Sequence, residues 1–321
     1  MRKKLGVDEI LQGLTAESLG HWCEQASDLH LIWSSRPEGT EYFLPVLRRK
    51  LPGVPVVYDT HDLHHIREYR QARYLRNAGL LQASLRRKQQ ECRLAKAVDR
   101  VVMVSDHEKH ILQALIPEAR LSTLAWFQQE YKEIPGWASR SGLLFVGGFF
   151  NGASANTESI RWFMDEVWPR IQKEKPEMLL WLVGGDVPEW LQKRESETVR
   201  IPGRVKDLTS IINRVRVSLA PLQIGAGIKG KVMESWAMGL PVVGTGIAAE
   251  GFPEEGRHAM KVEDDPRKFA EAVLEVHEQE AEWSRMSGAG KEVVRMFYSR
   301  ERVSKQLNEV IKMCRREGAD V

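Results

Sequence analysis

Residues 225–243 read GAGIKGKVMESWAMGLPVV, and this stretch places three glycines and two lysines directly before a helical pattern. The glycine spacing fits the dinucleotide-binding turn G-x-G-x-x-G, and with Lys231 it also fits the phosphate loop G-x-x-x-x-G-K. A phosphate loop needs a magnesium-binding hydroxyl after that lysine, whereas this chain has Val232. A dinucleotide-binding turn normally follows the first strand of its fold, whereas this loop lies about two-thirds of the way along the chain.

The chemistry of this glycine loop favours an anionic ligand. Gly225, Gly227 and Gly230 leave the backbone open to close approach. The helix start that follows offers unpaired N–H groups and a partial positive charge, which attract anions. Lys229 and Lys231 add two positive charges. We therefore predict a phosphate site here, most simply for a diphosphate. The alternative is that the glycines serve tight helix–strand packing and the lysines are solvated.

Glu234 extends the predicted site along the helix. It follows Lys231 by three residues and therefore shares its helical face. A carboxylate at this place can accept hydrogen bonds from two hydroxyls, which suits a ribose diol. Gly239 predicts the end of the helix, and Pro241 predicts the start of a strand.

Length and composition bound the class of protein. The chain has 321 residues, enough for two cores, and its net charge of +3 gives no indication of nucleic acid binding. Three scattered cysteines form neither a disulfide framework nor a zinc site, which favours a reducing, cytoplasmic compartment. No run of about 18 apolar residues predicts a membrane span.

Short apolar strands alternate with amphipathic helices, which predicts an α/β fold with doubly wound parallel sheets. The candidate strands are residues 29–35, 54–60, 100–105, 143–148, 179–185, 217–222 and 241–246. The clearest helical patterns span residues 157–175, 266–281 and 303–316.

A polar stretch at residues 128–141, with Pro135 and Gly136, predicts a linker between two Rossmann-like domains. We assign residues 1–130 to the first domain and 140–298 to the second, and we expect the helix at 300–321 to pack back on the first. Trp126 and Trp137 flank the linker, where they either pack in the core or line a cleft.

The segment YDTHDLHHIR gathers Asp59, His61, Asp62, His64 and His65. Such a cluster can bind a metal, but the further candidate ligands lie on an apparent surface helix. We therefore predict no metal site. We expect Asp62 to cap a helix and His64 and His65 to be half-exposed. For His61 we favour a functional role, because it follows a parallel strand at the end where such sheets bind ligands.

Five blocks of the sequence, in family order and spacing, resemble the donor-binding half of family 4 glycosyltransferases, enzymes of the GT-B fold. They are LLFVGGFF (143–150), NTESIRWFMDEVWPRI (156–171), LLWLVGG (179–185), VRIPGRVKDL (199–208) and VSLAPLQIGAGIKGKVMESWAMGLPVVGTG (217–246). The segment VVYDTHDLHHIREYR (56–70) looks like the acceptor half. The resemblance implies two Rossmann-like domains facing a cleft. It also implies sugar transfer from a nucleotide-diphosphate sugar, with retention of configuration and without a metal or other cofactor.

The resemblance assigns roles to individual positions. The candidate catalytic residues are His61, which matches a histidine that touches the donor sugar, and Lys229 and Lys231, which face the diphosphate and the sugar. The candidate binding residues are Gly147 and Gly148 at the diphosphate, Arg204 beside the base, Glu234 at the ribose, and the loop residues Gly225, Gly227, Ile228 and Gly230. Glu234 matches the second glutamate of the family motif E-x7-E.

The chain departs from the family pattern in two places. Ala226 stands where the first glutamate of E-x7-E falls. A subgroup of bacterial surface-polysaccharide transferases looks similar to this chain, because it carries glycine, isoleucine and lysine in this stretch. Only about 28 residues precede the first predicted strand, so we expect a shortened N-terminal domain, either natural or the rear part of a larger chain.

The expected donor is a UDP- or GDP-sugar, and the expected acceptor is a glycan or a lipid-linked molecule. The basic N-terminus and the cluster Arg86, Arg87 and Lys88 suit a peripheral contact with the inner membrane face. The departures keep two alternatives open: a non-catalytic transferase-like subunit that works with a partner chain, and a nucleotide-sugar epimerase of the same fold.

Overall fold

The computed structural model describes residues 9–26, 28–131, 134–149 and 154–319. The N-terminal part contains four strands: β1 (Ile32–Ser35), β2 (Val56–Asp59), β3 (Arg100–Met103) and β4 (Leu121–Thr123). Its helices are α1 (Ala16–Gln25), α2 (Pro37–Lys50), α3 (His64–Tyr74), α4 (Ala78–Ala97) and α5 (Asp106–Leu115).

The C-terminal part contains six strands: β5 (Leu143–Val146), β6 (Leu180–Val183), β7 (Val199–Gly203), β8 (Val217–Ala220), β9 (Val242–Gly244) and β10 (Met260–Val262). Its helices are α6 (Ala155–Trp162), α7 (Trp168–Glu174), α8 (Glu189–Gln192), α9 (Thr209–Ile212), α10 (Gly230–Ala237), α11 (Gly246–Ala249), α12 (Pro266–Glu278), α13 (Glu280–Val293) and α14 (Arg300–Ala319). One π-turn (Phe163–Val167) joins α6 to α7 and another (Val294–Tyr298) follows α13, while short 3₁₀ turns span Trp137–Ser139 and Glu254–Ala259.

Both sheets are parallel throughout, which confirms the predicted α/β class. The first has the order β1-β2-β3-β4 and the second has the order β10-β9-β8-β5-β6-β7. In the second sheet the chain runs outward from β5 to β7 and then returns to the other side of β5 to form β8. The strand order therefore reverses between β5 and β8, and open α/β sheets bind ligands at such a switch point.

Three strands escaped the sequence analysis, namely β4, β7 and β10. Two of them have only three residues, and β7 contains Pro202. Runs this short carry too little periodicity to be distinguished from loop, so only pairing with a neighbouring strand defines them.

Apolar residues on both faces explain why the second sheet is buried. Leu143 and Phe145 face one core cluster with Phe163 and Phe269, and Leu144 faces the opposite cluster with Met238. Successive side chains of a strand point to opposite faces, so the run LLF supplies both cores. Full burial of such a side chain contributes about 1.5–3 kcal/mol.

The last helix returns to the first sheet. Val310 and Cys314 of α14 are buried against Val57 and Val102, which belong to β2 and β3. The Gln306 side chain also accepts a hydrogen bond from the Ala125 backbone at 3.2 Å. The predicted linker segment 128–141 holds a 3₁₀ turn; its residues 132 and 133 lie outside the described part of the chain.

Candidate functional site

Two glycine turns meet at the switch point between β5 and β8. Gly147 and Gly148 follow β5, and the glycine loop, residues 225–230, follows β8. A Cβ added to Gly147 would lie 2.8 Å from the Asn156 side chain, so this position has no room for one. A Cβ on Gly184 would lie 1.8 Å from the Gly147 carbonyl oxygen. The first turn is therefore held against the end of β6 by packing. Phe150, the last residue of the block 143–150, lies outside the described residues.

Lys231 connects the two turns. Its ammonium donates a hydrogen bond to Asn156 Oδ1 at 2.6 Å, and Asn156 Nδ2 donates to the Gly148 carbonyl at 2.9 Å. The ammonium also lies 4.5 Å from the centre of the Phe145 ring, in a cation–π arrangement. Lys231 is thus held at the start of α10, close to the backbone of the Gly148 turn.

The two lysines of the loop have lowered pKa values. Burial, together with the nearby Lys229 charge, lowers the pKa of Lys231 to about 7. Burial lowers the pKa of Lys229 to about 8, and the carboxylates of Glu250 and Glu108 oppose that shift. The Lys229 ammonium donates to the carbonyls of Ala226 and Gly227. Partners that carry no charge compensate a buried cation poorly, so an anion placed beside these lysines would be stabilised.

Glu234 lies one turn further along α10 and is half-buried. Burial raises the pKa of its carboxyl. Its carboxylate has no hydrogen-bond or ion-pair partner within the described segments. A half-buried carboxylate in this condition favours a partner that donates hydrogen bonds, such as a pair of hydroxyls.

Gly239 ends α10 as the sequence predicts. Its φ is 61°, the left-handed region that favours glycine. The Gly239 amide donates to the Trp236 carbonyl at 2.9 Å, and the Leu240 amide donates to the Ser235 carbonyl at 2.8 Å. This pair of bonds is a Schellman motif, and it satisfies carbonyls that the helix end would leave free.

The N-terminal domain contacts the glycine loop through Asp62, Glu108 and Arg70. Gly227 has a φ of 65°, and a Cβ there would lie 3.0 Å from Asp62 Cβ and 3.2 Å from Glu108 Oε2. Arg70 donates to the Gly225 carbonyl at 2.6 Å and binds both oxygens of Glu250, at 2.5 and 2.8 Å. Gly227 is therefore required by both its conformation and the neighbouring domain.

Glu108 is the buried carboxyl of this contact. Its Oε1 accepts a hydrogen bond from the Leu63 amide at 2.8 Å, and its Oε2 has no partner in the described parts of the chain. Burial is the main cause that raises its pKa to about 7. Sequence reasoning missed Glu108 and Arg70. Glu108 follows Ser105 by three residues, a spacing typical of a helix cap, which gives no hint of the distant loop.

His61 follows β2 and lies beside Trp126. Its backbone adopts a φ of 61°, and its amide donates to Asp59 Oδ1 at 3.1 Å. A left-handed non-glycine residue is strained, which is common at functional sites. The centre of its ring lies 6.3 Å from that of Trp126. Trp137, by contrast, stacks on Arg216 and donates to the His277 carbonyl, so it packs within the C-terminal domain.

The other histidines of the cluster are structural, but not in the predicted way. His64 and His65 are buried, so the expectation of half exposure was wrong. Glu91, from α4, accepts hydrogen bonds from both of their amides and from His65 Nδ1. Asp62 instead pairs with His64 Nε2 and Arg67, so it does not cap the helix. The capping group comes from 27 residues away in sequence, which is why the local pattern misled.

Two predicted binding residues differ in exposure. Arg204 is exposed after β7, and its guanidinium lies over Gly185, where an added Cβ would meet Nη2 at 3.0 Å. Ile228 is buried and belongs to a core cluster with Val104 and Ala125. Its side chain therefore packs between the two domains.

The basic cluster on α4 is partly neutralised. Arg87 forms ion pairs with Glu38 and Glu68 and a hydrogen bond with Gln90. The basic N-terminal residues 1–8 lie outside the described part. No helix in the described ranges is both long and apolar enough to cross a bilayer. Within those ranges, no group of three or more His, Cys, Asp or Glu side chains is arranged to hold a metal ion.

The comparisons with known proteins agree with this architecture. Residues 140–279 match the model of the family described as glycosyl transferases group 1. An uncharacterized 44.6 kDa protein in the cps region of Klebsiella pneumoniae is 25% identical over 142 residues, which cover 41% of this chain and 36% of that protein.

Solved structures share the fold at low identity. A mutant of S. aureus TarM in complex with fondaparinux, α-GlcNAc-glycerol and UDP has a TM-score of 0.72 and 12% identity, over 92% of this chain and 58% of TarM. HepE from Anabaena in complex with UDP and glucose has a TM-score of 0.68 and 11% identity, over 92% and 80% of the two chains. The chain thus has the GT-B fold, and its residues 140–279 are similar to the glycosyl transferases group 1. The match covers about a third of the Klebsiella protein, and the chain spans little more than half of TarM.

Proposed function

We propose that this protein transfers a sugar from a nucleotide-diphosphate sugar to a glycan or lipid-linked acceptor, with retention of anomeric configuration. The observation that carries the proposal is the convergence of two glycine turns, Lys231 and the start of α10 at the switch point of the second sheet. The group 1 family match over residues 140–279 supports it. So do the TarM and HepE structures of the same fold, both of which are complexes with UDP.

The site suggests where each part of the donor would lie. The diphosphate would lie at the N-terminus of α10, between the Gly148 turn and the lysines. The unpartnered Glu234 would accept hydrogen bonds from the ribose hydroxyls. Arg204, exposed beside Gly185, would lie against the base. UDP and GDP both fit this description.

The chemistry would be electrostatic. As the bond between the anomeric carbon and the diphosphate breaks, negative charge grows on the leaving oxygen. Lys229, Lys231 and the helix N-terminus would stabilise that charge. An acceptor hydroxyl would attack the same face and pass its proton to the leaving diphosphate, so that atoms and charge balance. His61, presented by the other domain, would contact the donor sugar, and domain closure would hold the reactants together.

The test is binding of UDP-, GDP-, dTDP- and ADP-sugars to the purified protein, measured by thermal shift and calorimetry without and then with metal. We expect one nucleotide sugar to bind without metal. Glu234→Ala should weaken that binding, because it removes the carboxylate that would accept hydrogen bonds from the ribose hydroxyls. Glu271→Ala, which removes an exposed carboxylate on α12 far from the loop, is the control and should bind as the native chain does.

Product analysis tests the stereochemistry separately. An NMR spectrum of the first product should show the anomeric configuration of the donor. An inverted product would overturn retention while leaving glycosyl transfer in place. A donor affinity unchanged by Glu234→Ala would remove the ribose role.

Ala226 favours a second candidate, a non-catalytic subunit that binds a donor or a partner enzyme. The family's first glutamate is missing here, and at its position the Ala226 carbonyl accepts a hydrogen bond from the Lys229 ammonium at 3.2 Å. Donor binding without transfer or hydrolysis, with activity restored by a second chain, would identify this role. Interconversion of the donor sugar without an acceptor would instead identify an epimerase.

A further inference from the structure

Trp126 is exposed between the two domains, unlike the other tryptophans. The chain has ten tryptophans, all within the described residues, and Trp126 alone among them is exposed, at 37%. Trp168, Trp236 and Trp283, for comparison, are at most 4% exposed. An exposed indole beside an anion site and a histidine of the facing domain offers a ligand an apolar surface next to polar groups.

The position of Trp126 joins three parts of the site. It follows β4, its ring makes an edge contact with the His61 ring, and its Cζ3 lies 3.6 Å from where a Gly230 Cβ would be. Gly230 is the first residue of α10, where the diphosphate is placed above. The indole therefore forms a wall between the anion site and the histidine of the facing domain.

We propose that Trp126 is a stacking surface for a pyranose ring in the cleft, an inference that rests on the proposed function. A pyranose has one face of C–H groups, which pack on an aromatic ring, while its hydroxyls remain free at the edge to bond to groups such as His61. The ring would lie within reach of both the helix start and the facing domain. It belongs either to the sugar of the donor or to the acceptor.

The experiment compares Trp126→Ala and Trp126→Phe with the native chain in two arms. The first arm measures, by calorimetry, the affinities for UDP-glucose, UDP-galactose and UDP-N-acetylglucosamine against UDP alone, and for GDP-mannose against GDP. If the donor sugar stacks on the ring, Trp126→Ala should weaken the sugar nucleotide about tenfold, corresponding to about 1.4 kcal/mol, and leave the bare nucleotide unchanged. Trp126→Phe keeps an aromatic face, so its affinity for the sugar nucleotide should fall less.

The second arm measures binding of octyl glycosides to the UDP-saturated protein. A loss confined to this arm would place the acceptor sugar on the ring. Phe127→Ala is the matched control, since Phe127 is the neighbouring residue and is 48% exposed. It should change neither arm.

Three outcomes would overturn the proposal: equal weakening of nucleotide and sugar nucleotide, no change in either arm, or the same losses in Phe127→Ala. Failure of the native chain to bind any nucleotide or sugar would overturn the proposed function together with this inference. Normal nucleotide binding with no sugar-dependent loss at Trp126 would overturn this inference alone. A circular dichroism spectrum like that of the native chain confirms that each variant is folded.

Discussion

Lys231 is the residue on which the proposed chemistry of the loop depends most. It is fixed by Asn156 and by the Phe145 ring, and its ammonium forms no ion pair with a carboxylate of the described residues. Asparagine and an aromatic face orient the ammonium without neutralising it. The charge is therefore available to a ligand, which is the arrangement that electrostatic stabilisation of a leaving group requires.

Replacing Lys231 with alanine should lower the turnover number by roughly two to three orders of magnitude, because the variant loses a preorganised cation at the leaving diphosphate. Steady-state kinetics at saturating donor would measure it. Lys268→Ala, which removes an exposed lysine on α12, should keep the native rate. A near-native rate in Lys231→Ala would exclude this lysine from the mechanism.

Donor affinity should fall as pH rises from about 7 to about 8. The pKa of Lys231 is lowered to about 7 and that of Lys229 to about 8, so both lose positive charge through this range. A diphosphate favours the protonated lysines and raises their pKa values, so binding near pH 7.5 should take up protons. Calorimetry in two buffers of different ionisation enthalpy counts them. Lys231→Ala should reduce the uptake, and an uptake of zero in the native chain would contradict the placement.

Sequence reasoning places together those candidate residues that are close in the chain. The lysines, Glu234 and the glycines occupy one loop and one helix, so their spacing alone places them together. Glu108 and Arg70 contact the same loop from residues more than 100 positions away in sequence. No local pattern indicates such a contact, because it forms only when the two domains meet.

Helix α10 carries Lys231 and Glu234 of the candidate site. The sequence predicts both where this helix starts and where it ends. Its start is at Gly230, and its end is the left-handed Gly239. The Schellman motif at Gly239 determines where the helix stops and where the chain turns toward strand β9. The predicted long helix 157–175 is interrupted by a π-turn at 163–167, which the apolar periodicity does not reveal.

Gly239→Ala should destabilise the fold by about 1–2 kcal/mol or more, since a left-handed φ is unfavourable for alanine. The added Cβ would also lie 3.0 Å from Ser287 Oγ and 3.2 Å from Ile134 Cγ2. Urea unfolding measures the difference. Gly288→Ala is the matched control on α13, where nothing lies within 4 Å of the new Cβ. That variant should gain about 0.5–1 kcal/mol, and equal effects of the two changes would refute the argument.

At the scale of the whole molecule, the two domains are joined around the glycine loop. Arg70 of α3 binds Glu250, which follows α11, and His107 of α5 binds the same carboxylate at 3.0 Å. The Arg70 and Glu250 side chains are 30% and 15% exposed. This bidentate pair, together with the Arg70 bond to the Gly225 carbonyl, holds the loop against the N-terminal domain.

A double-mutant cycle of Arg70→Ala and Glu250→Ala should show a coupling of about 1–3 kcal/mol in urea unfolding, because the partners are in contact and partly buried. The exposed pair Arg267–Glu271 should show about 0.3–0.5 kcal/mol and serves as the control. Small-angle X-ray scattering of Arg70→Ala should give a larger radius of gyration than the native chain. A coupling no larger than the control would mean that the ion pair does not hold the domains.

The sequence by itself determined the α/β class, the GT-B resemblance and the grouping of glycines, lysines and Glu234 in the glycine loop and its helix, since these depend on periodicity and on spacing within single elements. Tertiary structure decided which charges surround the loop, which group caps α3, and that Trp126 lies exposed between His61 and Gly230. These features depend on contacts between residues far apart in the chain, such as Glu91 with His64 and Arg70 with Glu250. Their geometry is set by the packing of helices on two parallel sheets, and a one-dimensional pattern does not encode it locally.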